Sequence, residues 1–257
     1  MIIVLAVIFV VLLVLIGGDR GVMSLIALCG NLLVLGIAVF AMTWGINVIL
    51  VTYTASIVIN CITIFYQNGK SEKTAAAFIA VIVIILLLSI PVFGISNGAH
   101  ISGLNEIEMK SDYSVFYSFD IYVNMRMVSI SMIIIGMIGA IMDTAVAVTS
   151  SVNEVYRHNP KLTQRELFCS GISIGRDILG TTLNTLYFAY IGEALMFIIY
   201  LRQYQYSVIK MINSKAFCAD LISILFSGLG CILIIPLSAL IMAKMLDKKE
   251  KQGDLTK

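Results

Sequence analysis

The sequence predicts an all-α fold, a polytopic membrane helical bundle with about seven transmembrane helices, on three observations. Apolar residues make up 60% of the chain and charged residues 12%, at a mean hydropathy of +0.99, more than a water-soluble core with a charged skin reaches. Apolar runs of about 20 residues, the length a helix needs to cross roughly 30 Å of hydrocarbon, recur along the chain. The runs are apolar all round, whereas barrel strands alternate in segments of about ten residues, and only these two structures satisfy their backbone in lipid.

The elements follow in order, within one integral membrane domain over residues 1–257. Ile2 to Gly17 has no basic stretch before it and no small-residue cleavage pattern after it, which predicts a short span rather than a removed signal. Gly17, Gly18, Asp19, Arg20 and Gly21 break the pattern. A second span runs from Val22 to about Met42, with an interfacial Trp44 in the following turn. The third runs from Ile46 to Tyr66, and the fourth from about Thr74 to Ile95 with Pro91 near its end. The stretch 96–124 is polar and acidic, with Glu106, Glu108, Asp112 and Asp120 against Lys110.

The fifth span covers about Met127 to Thr149. The segment 150–176 reads as a cytoplasmic amphipathic stretch, with Pro160 opening a surface helix through Ser170 whose Leu162, Leu167 and Phe168 dip into the interface. The sixth covers about Ile178 to Leu201, the segment 202–219 reads as interfacial, and the seventh covers about Leu221 to Met245 with a central Pro236.

Charge placement sets the expected orientation. Assigned to alternate loops, 12 of the 17 Lys and Arg residues fall on one side. By the positive-inside rule the amino terminus lies outside, the carboxyl terminus lies in the cytoplasm, and 96–124 faces out. A net charge of +2 gives no reason to expect nucleic acid, and the partner that composition requires is the lipid bilayer. Five cysteines form no CxxC pair and no ligand spacing with histidine, and His100 and His158 fall in opposite loops, so no metal site, disulfide framework or cofactor is expected.

Two spans carry residues that lipid disfavours. On the fifth, Ser129, Met132, Gly136, Gly139, Asp143, Ala147 and Ser150 recur at steps of three and four, a seam whose small residues admit a neighbouring backbone. Asp143 lies on that seam about seven residues, roughly 10 Å, from the inner edge, where a carboxylate needs a partner, water or a proton. The sixth span opens on Arg176, Asp177, Gly180, Thr181 and Asn184. Asp143, Arg176, Asp177, Thr181 and Asn184 are the candidate polar intramembrane site, and Gly136, Gly139 and Gly180 the candidate helix-packing residues. The alternatives are a hydrogen-bonding Asp143 that only locks two helices, an Arg176 that only snorkels to headgroups, and an aspartyl dyad of Asp143 and Asp177 sharing a proton.

The stretch from Ile138 to Leu195, with GRD at 175–177, GTTLNTL at 180–186 and AYIG at 189–192, resembles the hallmark of the YibE/F family of multi-pass bacterial membrane proteins. Ile212 to Ala243 is similar to that family's closing segment. The short amino terminus resembles the smaller, YibF-type member, which lacks the large extracytoplasmic region of its YibE-type relative. The resemblance implies a bacterial cell membrane location and a larger YibE-type relative or a second copy as partner. Asp143-Thr144, Asn153-Glu154 and the Thr-rich start of the sixth span are also similar to the helix pair of the SecD/SecF export helpers. The expectation is a non-enzymatic subunit of a transport or export-assisting assembly, or a structural partner whose polar seam serves packing and assembly.

Overall fold

In lipid each backbone hydrogen bond has to close within its own segment, and the computed structural model, which describes residues 1–98, 124–203 and 205–255, has no strand among them. Its elements are α1 (Ile2–Thr43), α2 (Val48–Cys61) running into a π-turn (Ile62–Tyr66), α3 (Glu72–Gly98), α4 (Met125–His158), α5 (Gln164–Gln203), α6 (Val208–Ile212) and α7 (Lys215–Leu255). Most of the acidic 96–124 stretch lies outside the described residues.

At 1.5 Å per residue the 42 residues of α1 would measure about 63 Å, roughly twice the hydrocarbon thickness. Gly18 resolves this by leaving the helical region at φ 52° and ψ −138°. Gly21 then comes up against the Leu13 carbonyl, so the chain bends back on itself and the first two apolar runs survive as two limbs of one kinked helix. The second limb pairs with α2 across a tight turn at Gly45, whose φ is 83°. Asn47 caps α2 by accepting from the backbone N–H of Ile49 at 3.0 Å. Ala38, Met42, Val48, Val51 and Ala55 fill the joint, and Asn31 Nδ2 donates to Thr63 Oγ1 at 2.8 Å further along.

The main core lies where α3, α4 and α7 meet, around Val81, Ile84, Ile134, Met137, Ile141 and Ile234. A second core near the α4–α5 turn gathers Val148, Val152, Leu167, Ala239 and Met242. Here the fold departs from the expected surface helix opening at Pro160. Residues 150–158 are the last turns of α4, and 164–176 are the first turns of α5. The start signal is a capping box three residues beyond the proline: Glu166 accepts from the Thr163 N–H at 2.8 Å, and Thr163 Oγ1 accepts from the Glu166 N–H at 3.4 Å. Leu167 is 1% exposed inside the second core rather than dipped into headgroups, with Leu162 and Phe168 packed partly against it.

Five helices among the described residues are long and apolar enough to cross a membrane: α1, α2 with its π-turn, α3, α4 and α7. The polar opening of α5 dilutes the hydropathy of that 40-residue helix. Between α5 and α7, Val208, Ile209 and Ile212 of short α6 stand exposed.

Candidate functional site

On α4 nearly every residue from Ile130 to Thr149 is buried or half-buried, and the exposed exceptions are Met132, Gly136, Gly139 and Asp143. They fall on one narrow line at helical spacing. The glycines differ in use. A Cβ at Gly136 would lie 3.2 Å from Ser223 Oγ of α7 and 3.6 Å from Tyr190 Oη of α5, so this position is where three helices converge, whereas a Cβ at Gly139 would meet nothing within 4 Å. Cys231 of α7 sits beside Thr144 and within electrostatic reach of Asp143.

The packing of α5 is fixed by two other glycines. A Cβ at Gly171 would stand 2.7 Å from both Ala239 and Val152, and one at Gly175 would collide with Ile235. Further along, Leu183 and Tyr187 lie over Gly228 of α7. These contacts use α7 as a ruler for depth. Residues 176–184 are level with the stretch of α7 between 228 and 235, the middle of its apolar run Phe217–Asp247.

At 3.6 residues per turn, Asp177 and Asn184 lie about half a turn around the helix from Gly175, with Gly180 and Thr181 flanking them. All four are exposed, as is Arg176, and a Cβ at Gly180 would meet nothing within 4 Å. Thr181 and Thr185 donate their hydroxyls to their own helix, to the carbonyls of Ile178 and Thr181, each at 2.9 Å. The α5 polar residues therefore form one face at mid-membrane depth, turned away from α7. Asp143 occupies a separate line on α4 at a similar level, and among the described residues no hydrogen bond or ion pair joins it to Arg176, Asp177, Thr181 or Asn184.

A further polar line escaped the sequence reading. Thr52, Ser56 and Asn60 recur every four residues along α2 and are 0%, 1% and 0% exposed. Thr52 Oγ1 lies 2.6 Å from Ser131 Oγ of α4. Asn60 Nδ2 donates to the Ser56 carbonyl at 2.8 Å, and its Oδ1 is buried with no partner. The signal was legible: three polar residues at one helical spacing inside an apolar run mark an inward face.

Among curated proteins and among solved structures, nothing matches this chain. The seam on α4, the outward polar face of α5 and the long apolar helices around them all lie within residues 5–248, which match the family described as YibE/F-like protein, and the chain belongs to that family.

Proposed function

We propose that this protein is a non-enzymatic subunit of a transport or export-assisting assembly in a bacterial cell membrane. The observation that carries this reading is the polar face of α5, which at mid-membrane depth points away from the bundle that would otherwise shelter it. A solitary chain would hold Asp177 and Asn184 against acyl chains, at a cost of a few kcal/mol for each such group. A subunit covers them with a neighbour or with a wet path between neighbours. Asp143, exposed on the α4 seam, is the group we assign to ion coupling.

In this reading the chain crosses seven times, with the limbs of α1 crossing separately about Gly18 and α5 crossing beside α7. The amino terminus lies outside and the carboxyl terminus inside. The aspartyl hydrolase reading has less support, because two carboxylates that share a proton stand within hydrogen-bond reach of each other, and Asp143 shares no such bond with Asp177 among the described residues.

The second reading, a structural partner whose seam serves only assembly, is favoured by the missing link between Asp143 and the polar groups of α5. Vesicles carrying the purified assembly, an imposed pH gradient and an internal dye separate the two. Coupling predicts gradient dissipation in the wild type and none with Asp143→Asn in an assembly of unchanged composition. A wild type that leaves the gradient intact, with Asp143→Asn losing assembly, would establish the structural reading instead.

A further inference from the structure

We infer that α5 pairs with α5 of a second copy of this chain, through the face formed by Asp177, Gly180, Thr181 and Asn184. This deepens the subunit reading and rests on it. Two copies inserted with the same orientation can only be related by a two-fold axis along the membrane normal, which sets the two α5 helices parallel and brings equal depths together.

Three features suit that partner. The two threonine hydroxyls are already committed to their own helix, so they need nothing from across the interface. The Asn184 carboxamide has no hydrogen bond in the monomer, and a carboxamide carries donors and an acceptor, so two copies at one depth satisfy each other. At the inner end of the face Arg176 is next to Asp177. Each copy therefore brings a cation and an anion to the same level, and pairing Arg176 with the partner's Asp177 neutralises both. Gly180, open on the outside, lets the two backbones approach.

The test is a cysteine scan of α5 in native membranes, in a chain whose five cysteines are replaced, with oxidation by copper phenanthroline. Disulfide-linked homodimers are expected with Asp177→Cys, Thr181→Cys and Asn184→Cys, and none with Leu179→Cys or Leu186→Cys, which face inward or sideways. Co-purification of two differently tagged wild-type copies gives the same answer if the cysteine-free chain does not fold. In that assay Asn184→Ala weakens association about tenfold, and the charge exchange Arg176→Asp with Asp177→Arg restores what either single change loses. Cross-links with the same periodicity to a different protein, and none between copies, would overturn the second-copy pairing and leave the subunit reading standing. Absence of any cross-link at all three positions, with tagged copies purifying apart, would overturn both.

Discussion

Thr52 on α2 and Ser131 on α4 hold their hydroxyl oxygens 2.6 Å apart, with both side chains 2% exposed or less. Ser131 donates to the Met127 carbonyl of its own helix at 2.9 Å, which leaves its oxygen free to accept from Thr52. This bond ties the α1–α2 pair to the main core. Thr52→Val and Ser131→Ala each remove it, and a double-mutant cycle read from unfolding in mixed micelles should give a coupling of about 0.6 to 1.7 kcal/mol, the range for hydrogen bonds between membrane helices. A coupling of zero would mean that apolar packing alone joins the two units.

Gly175 has no room for a methyl group against Ile235. Gly175→Ala should destabilise the α5–α7 contact by about 1–3 kcal/mol, as overpacking does. Combining it with Ile235→Ala should cost less than the two single changes added together, because the second empties the space the first needs. Thermal melting of the four proteins in one detergent checks this, and strict additivity would contradict it.

The start of α5 should depend on pH through one carboxylate. Glu166 is fully exposed and accepts from both the backbone N–H and the hydroxyl of Thr163, which lowers its pKa from the ordinary 4.5. Because the folded pKa is the depressed one, the cap contributes its full stability above the unfolded value near 4.5 and loses it as pH falls through the folded value. Carboxyl-labelled NMR should find a Glu166 midpoint below 4.5 that moves back up with Thr163→Val. A midpoint unmoved by that change would remove Thr163 as the cause.

The bend at Gly18 predicts that the chain's first residues emerge on the same face of the membrane as the α1–α2 turn. Ile2→Cys and Trp44→Cys should both react with an impermeant maleimide from outside, and Lys161→Cys, in the α4–α5 turn, only after permeabilisation. Labelling of Ile2→Cys on the opposite face from Trp44→Cys would show that α1 crosses once.

Helix positions were legible because runs of Ile, Val and Leu leave lipid as the only solvent, and the breaks at Gly17–Gly21, Trp44–Gly45 and 67–71 carry glycine or charge. The α4–α5 turn was harder to read. Pro160 looked like a helix start, yet Thr163 and Glu166 make the cap, and Leu167 is claimed by α7, a helix that arrives 50 residues later. The residues of the polar site could be named from the sequence, because carboxylates and amides stand out in apolar runs. Their grouping could not, since the rotation of α5 is fixed by Gly171 and Gly175 against α7 and not by any property of α5 alone.

The π-turn at Ile62–Tyr66 has a consequence for how α2 tolerates change in length. A helix gains such a turn by accommodating one extra residue, and this one stands where α2 changes allegiance, from the buried Thr52–Ser56–Asn60 line to Thr63 and Gln67, which bond Asn31 and Ser24 of α1. Deleting one residue within 62–66 would let the segment relax to an ordinary helix and rotate all that follows by about 100°. Loss of one amino acid there would uncouple α2 from α1 while leaving α2 helical throughout, so the stretch works as a phase adjuster between two neighbours that need different faces of the same rod.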